Sequence, residues 1–497
     1  MAGPRITRNA AAAVLQVLVS GLTLFLLYRY LLGSIGIERM GIWSIVLATT
    51  SAARLTELGF SGGVVKFVAK FLSYDDFDSA GRAAETAALA LALVVGCVLL
   101  AAYWPVIWFL AKFLPGSALP EARALVPYAL LALWIATIAG IFQSALDGCQ
   151  RTDLRAAFAI ANSILYLVLA LLLVPRFGLL GLAYVQVALA IALAVVSWMF
   201  LRRQLPGLPL LPSRWSRVHL RSLLGYGLTI QFNTVLMLLA DPVTKALLSK
   251  FGNLSMVGWY DMAVRMVMQL RALLTAPNQV LVPIFARLHE SGSAGVVSMY
   301  RDTYQLQAFL ALPYYAMVVA VLPSVSSLWI GHLEHSFVLF SILLVVGWSL
   351  NGFVNPAYFA NLGTGRMRWN TVAHVVIGLL NCLLGAIAGL WLGGVAVVVA
   401  WVVALVIGSS VVVLAFHREN RMPLRELVPA GSGWLLVACC IGVALAWFSY
   451  FRLTTDLHAI VRLVVGATAC AAVALPAMWL HPMRGRVLRL LRIRAAD

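Results

Sequence analysis

The chain is a succession of apolar runs, each about as long as a bilayer is thick, separated by short charged or Gly/Pro-containing breaks. A hydrocarbon core of roughly 30 Å is crossed by about 20 helical residues at 1.5 Å rise each. Lipid offers no hydrogen-bond partners to an open backbone, so only helices and closed barrels can span it. The runs lack the alternating polarity of barrel strands, which leaves helices. The expected fold is therefore an all-α integral membrane protein with about 14 transmembrane helices. The spans fall near 10–32, 41–63, 84–111, 124–146, 157–175, 178–200, 222–248, 254–283, 304–330, 335–358, 371–389, 392–415, 431–450 and 459–480. Composition agrees: with 62% hydrophobic and 11% charged residues over 497 positions, too little polar surface exists to solvate a globule.

The net charge of +18 follows membrane topology rather than forming a nucleic-acid stripe. With a cytoplasmic N-terminus, the inner loops receive Lys66, Lys70, Arg82, Arg151, Arg155, the arginines of 202–221, Arg287, Arg301, Arg366, Arg368 and the arginines of 418–425. The tail adds Arg484 to Arg494, whereas the outer loops hold few cations. Both termini are thus expected in the cytoplasm and the number of spans is expected to be even. The first apolar run is expected to stay as a helix, since no small-residue cleavage site follows it. Six cysteines without metal-ligand spacing read as small packing residues, and the scattered histidines give no metal site. The longest stretch outside the apolar runs, near 201–221, is too short for a catalytic domain. No phosphate-binding Gly-rich loop or nucleophile elbow is present, so no enzyme activity and no cofactor are expected.

The two halves resemble each other at a spacing of about 215 residues. RMGIWSIV at 39–46 matches MVGWYDMA at 256–263, pairing Gly41 with Gly258, and VVKFVAK at 64–70 falls on LVPIFAR at 281–287. LDGCQRTDLR at 146–155 parallels NLGTGRMRWN at 361–370, and FGLLGLAYV at 177–185 parallels LWLGGVAVV at 390–398. The organisation that follows is a six-helix lobe at 1–203, a cytoplasmic linker at 204–221, a second six-helix lobe at 222–416, and two further helices with a basic tail at 417–497. Duplicated lobes around a central cleft are a recurrent transporter design, with substrate bound near the midplane. Val64, Phe67, Val68 and Phe71 share a helical face opposite Lys66 and Lys70, an amphipathic continuation of the second span.

Charges inside apolar spans are costly and mark function by default. Arg265 lies nearest the middle of its span and is the first candidate to contact an anionic substrate, because a guanidinium fork suits phosphate oxygens. Arg54 and Lys245 are next, and Arg271 falls on a different face of the same helix as Arg265. Each acid in these spans has a cation at helical spacing: Glu57 with Arg54, Asp241 with Lys245, Asp261 with Arg265. Two readings of these carboxylates stay open: neutral ion pairs that only support packing, or switchable groups that titrate or bind sodium during transport. Polar groups at Gln231, Asn233, Gln269, Asn278, Gln279, Asn351 and Asn355 can contact sugars or pack helices. Arg29 and Arg462 read as snorkelling residues.

LGSIGIERMGIWSI, ELGFSGGVVKFVAK, FQSALDGCQR and LLADPVTKALLSKFGNLSMVGWYDMAVRM together resemble the polysaccharide-transporter branch, with its Wzx-type flippases, of the multidrug/oligosaccharidyl-lipid/polysaccharide exporter superfamily. The resemblance covers essentially the whole chain. It implies a bacterial inner-membrane flippase that carries an undecaprenyl-diphosphate-linked oligosaccharide outward by alternating access, working as a monomer. It also implies a polysaccharide polymerase and a chain-length regulator as partners, beside the lipid-linked substrate and membrane lipids. A lipid II flippase and a cation-coupled multidrug antiporter of the same superfamily are the alternatives within the fold. A membrane polysaccharide polymerase is the alternative of another class. Proton or sodium coupling through Glu57, Asp241 or Asp261 is compatible with each of the transporter readings.

Overall fold

The computed structural model describes residues 3–51, 60–275, 278, 281–290, 293–427, 431–453 and 457–485. Among these residues the regular structure is helical. In chain order the helices are α1 (Gly3–Ser34), α2 (Ile37–Ser51), α3 (Phe60–Leu72), α4 (Phe77–Phe113), α5 (Leu119–Gly148), α6 (Thr152–Phe177), α7 (Leu179–Gln204), α8 (Arg217–Phe251) and α9 (Leu254–Thr275). They continue with α10 (Leu281–Glu290), α11 (Ser293–Ile330), α12 (His335–Gly352), α13 (Asn355–Gly363), α14 (Arg368–Leu392), α15 (Gly394–Glu419), α16 (Ser432–Phe448) and α17 (Ala459–Leu480). Among the described residues, 11 helices are long and apolar enough to cross a membrane. The expected count of about 14 is thus not reached by length and composition. The three spans outside that set are the second, seventh and eighth, which are the ones that carry the acid–base pairs. Part of the second span, 52–59, lies outside the described residues. The seventh lies on the continuous helix α8, and the eighth, expected over 254–283, is α9 as far as Thr275, with 276, 277, 279 and 280 outside the described residues.

Large apolar side chains stand exposed along these helices, among them Leu100, Trp391 and Leu480. Water would penalise such a surface, and a hydrocarbon solvent does not. The cysteines divide: Cys439 and Cys470 are buried packing residues as expected, whereas Cys97, Cys382 and Cys440 are exposed on helix surfaces.

The chain divides into two compact units, Met1–Gly258 and Trp259–Asp497. In the first unit α5 packs along α7 and α4, α1 packs along α6, and the amphipathic α3 lies on α4, α5 and α8. Val64 and Val68 of α3 are fully buried while Lys66 and Lys70 are exposed, as the alternation of its faces predicts. The helix α8, which sequence comparison places at the start of the second lobe, packs here on α2, α3 and α4. In the second unit α14 packs on α15, α12 on α15, and the C-terminal pair α16 and α17 on each other and on α11. Phe309, Leu435, Cys439 and Ala474 fill the contact of α11 with that pair.

Two glycine pairs carry the duplication into the backbone. Gly178 joins α6 to α7 at φ +58° and Gly393 joins α14 to α15 at φ +79°, a left-handed conformation that a Cβ disfavours. Gly41 and Gly258 mark a close crossing within the first unit. A Cβ on Gly258 would lie 2.6 Å from the Ile37 carbonyl oxygen, and one on Gly41 would overlap the Leu254 carbonyl.

The linker between α7 and α8 is fastened rather than loose. Glu85, fully buried near the start of α4, accepts from the Ser213 amide and the Arg214 guanidinium, and Asp78 accepts from Arg214 at 2.9 Å. Thr86 Oγ1 accepts from the Ser216 amide, and the Leu210 carbonyl accepts from Trp198 Nε1. Glu85 escaped the sequence reading because it sits at the edge of a long apolar run, with its partner some 130 residues away in the linker.

Candidate functional site

An acid and a base four residues apart face each other across one helical turn, and both described pairs close. On α8 in the first unit, Lys245 Nζ lies 2.8 Å from Asp241 Oδ2. On α9 in the second unit, Arg265 Nε donates to Asp261 Oδ2 at 2.8 Å. The pairs are inverted in exposure. Lys245 is 6% exposed and Asp241 44%, whereas Asp261 is 7% exposed and Arg265 36%. The helix α8 therefore displays its carboxylate, and α9 displays its guanidinium. Arg54 and Glu57, named with them from the sequence, lie outside the described residues.

Arg271 sits on a different face of α9 from Arg265, as its six-residue separation requires. Its Nη2 donates to Asn351 Oδ1 at 3.2 Å, and its Cζ lies 4.3 Å from the centre of the Trp348 ring. Trp348 and Asn351 are three residues apart on α12 and so meet the same cation. Asn351 is oriented in turn, because its Nδ2 donates to Ser409 Oγ on α15 at 2.7 Å. Tyr314 donates to the Leu270 carbonyl at 2.8 Å and ties α11 to the same segment of α9. The result is a polar cluster of α9, α11, α12 and α15 inside otherwise apolar packing. Asn351 was on the sequence list of polar contacts, whereas Trp348, Ser409 and Tyr314 were not. Aromatic and hydroxyl residues in apolar spans carry no signal of their own until the fold brings them to a charge.

The first unit contains a smaller cavity of about 240 Å³ among α2, α5, α6 and α7, where Thr50, Ser51, Asn162, Tyr166 and Gln186 supply polar groups to apolar walls. The second unit holds an apolar cavity of about 570 Å³ among α11, α12 and α16, with Tyr315, Val345, Cys439 and Trp447 in its lining. Of the other polar candidates, Asn278 is buried. Gln279 and the side chains of Gln231 and Asn233 lie outside the described residues. Among the described residues no group of His, Cys, Asp and Glu side chains could hold a metal ion.

The fold is similar to those of solved MATE transporters and of the lipid II flippase MurJ. A multidrug resistance MATE family transporter of the MOP superfamily, in an inward-facing conformation, matches with a TM-score of 0.67 at 16% identity over 82% of this chain and 98% of its own. The lipid II flippase MurJ, in an inward closed conformation, matches with a TM-score of 0.72 at 12% identity over 94% of this chain and 98% of its own. The Vibrio cholerae MATE transporter VcmN in its bent form gives 0.52 at 14% identity over 84% and 98%. No curated protein matches in sequence. The family model described as polysaccharide biosynthesis protein matches residues 41–334, more than half of the chain. This multi-pass membrane protein belongs to that family.

Proposed function

We propose that the protein is a flippase that moves an undecaprenyl-diphosphate-linked oligosaccharide from the cytoplasmic to the outer leaflet of a bacterial inner membrane by alternating access. The observation that carries this reading is the inverted pair on α9, within the region matched by the polysaccharide biosynthesis family. A buried carboxylate holds a guanidinium that is itself 36% exposed, and a guanidinium fork suits phosphate oxygens. A diphosphate is such an anion, and in a partly dehydrated site its attraction to a guanidinium exceeds that in water. Arg271, gripped by Asn351 and Trp348, gives a second cation on the same helix. The apolar cavity among α11, α12 and α16 has the lining that a lipid chain requires.

A lipid II flippase is the second reading. What favours it is the coverage of the MurJ likeness, 94% of the chain against 82% for the MATE transporter. Proteoliposomes separate the readings. The intact chain should flip a lipid-diphosphate oligosaccharide faster than lipid II and exchange no cationic dye. Faster lipid II flipping would favour the second reading, and dye exchange without lipid flipping would reject both.

A further inference from the structure

The duplicated turn that ends the fourth span of each half is built alike and charged differently. In the first half Gln150 adopts φ +59° and the Arg151 amide bonds back to the Leu146 carbonyl at 3.0 Å. In the second half Gly365 adopts φ +75° and the Arg366 amide bonds back to the Asn361 carbonyl at 2.8 Å. Arg151 and Arg366 thus hold the same place in the same helix-ending motif. In the first half the cations are neutralised: Arg151 grips Asp153 through Nε at 3.1 Å and Nη2 at 3.3 Å, and Arg155 reaches Asp147 at 2.7 Å. The positions matching Asp153 and Asp147 in the second half are Arg368 and Leu362. Among the described residues neither Arg366 nor Arg421 has a carboxylate in ion-pair contact.

Arg366, Arg421 and Arg301 instead line one cavity of about 450 Å³, shared with Glu419, Asn420 and Ser298. The one carboxylate in the lining, Glu419, accepts from Trp369 Nε1 at 2.6 Å and keeps its negative charge. The C-terminal ends of α13 and α15 add partial negative charge, about half a unit each, so that with Glu419 the lining keeps an excess of about one positive charge. The turn that carries Arg421 is braced from behind the cavity lining. Tyr300, fully buried, meets His417 Nε2 at 3.0 Å, and His417 Nδ1 meets the Met422 carbonyl at 3.0 Å. A carbonyl only accepts, so in the neutral ring Nδ1 carries the proton and Nε2 accepts from the tyrosine hydroxyl. That chain fixes the turn at Arg421, whose backbone is left-handed at φ +51°, against the helix that carries Arg301.

We propose that this cavity is a phosphate-binding site, in which Arg366 and Arg421 grip the oxygens of a phosphate or diphosphate beside Arg301. Planar guanidiniums match phosphate oxygens two at a time, and three of them around one cavity exceed what a single snorkelling cation would provide. The phosphate can be the headgroup of an acidic phospholipid or a free anion, and the two sources give different results. The full-length protein in phosphatidylcholine nanodiscs would be titrated with pyrophosphate. In parallel, nanodiscs containing phosphatidylglycerol would be assayed for retained lipid by native mass spectrometry.

Binding of pyrophosphate identifies a free anion as sufficient, and retention of phosphatidylglycerol alone identifies a lipid headgroup. In either case the variant with Arg366→Gln and Arg421→Gln should bind about tenfold more weakly, the loss of one or two charge-assisted hydrogen bonds. Lysine at both positions should bind between these limits. A first-half control, Arg151→Gln with Arg155→Gln, of which Arg151 matches Arg366, should bind as the intact protein does. The proposal is overturned if the intact protein binds neither probe, if the Arg366/Arg421 variant binds unchanged, or if the first-half variant weakens binding equally.

Discussion

Two helices consecutive in the chain each carry an aspartate four residues before a base, and they present opposite charges. On α8 the lysine is buried and the aspartate is exposed; on α9 the aspartate is buried and the arginine is exposed. The i to i+4 spacing secures the pairing in both, because one helical turn brings the side chains together. Which member faces outward is decided by the surrounding packing. An intramembrane ion pair is therefore not one kind of object. The pair on α8 buries its cation and suits a packing role, while the pair on α9 offers a cation to an anionic cargo.

The largest expected effects cross between the helices. On α8, Asp241→Asn takes the carboxylate from a buried lysine and should cost about 3 kcal/mol or more, whereas Lys245→Met, which leaves an exposed aspartate, should cost under about 1 kcal/mol. On α9 the order reverses, with Arg265→Met the costly change and Asp261→Asn the mild one. Thermal unfolding in nanodiscs reads both, and the same order on the two helices would break the comparison. Next in size is the crossing that holds the N-terminal end of α9 against α2. Gly258→Ala forces a Cβ to 2.6 Å from the Ile37 carbonyl. It should destabilise by about 1–3 kcal/mol, while Gly116→Ala, where nothing lies within 4 Å, should stay near the intact value.

A smaller effect belongs to Arg271. Trp348→Leu should cost about 1 kcal/mol through the lost ring contact, and Arg271→Met should remove most of that difference in a double-mutant cycle. The smallest concerns His219, outside the apolar part of α8, whose Nδ1 lies 2.7 Å from Ser216 Oγ. Burial, with Arg82 nearby, holds its proton affinity below that of a free histidine. The neutral ring is therefore favoured by folding. Its stabilising effect should be complete above about pH 6.5 and fade as the pH falls through the lowered value, a slope that His219→Gln should remove.

Much of this was legible in the sequence. Apolar runs of bilayer length announced the helices, and the matched segments 177–185 and 390–398 announced the duplicated turns, although that alignment sets Gly178 against Trp391 rather than Gly393. The charge pairs were legible for the same reason, since helical spacing depends on the chain alone. Their exposure was not, because it depends on helices far away in sequence. The partners of Arg271 lie on α12, and their own support, Ser409, lies on α15. Glu85 was missed on similar grounds. An acid near the start of an apolar run reads as a boundary residue until the linker arginine is seen to reach it. The second, seventh and eighth spans were predicted from apolarity, yet those are the spans with the charges that dilute it.

The account rests on Arg265 meeting an anionic cargo rather than merely neutralising Asp261. The direct measurement is flipping of an undecaprenyl-diphosphate oligosaccharide in proteoliposomes by the intact chain and by the double variant Asp261→Asn with Arg265→Gln. The double change removes both charges together and so leaves no buried carboxylate without its cation. Folded protein with flipping reduced at least about tenfold is the predicted result, equivalent to the loss of a charge-assisted contact. Flipping at the intact rate would contradict the account and return the α9 pair to a packing role.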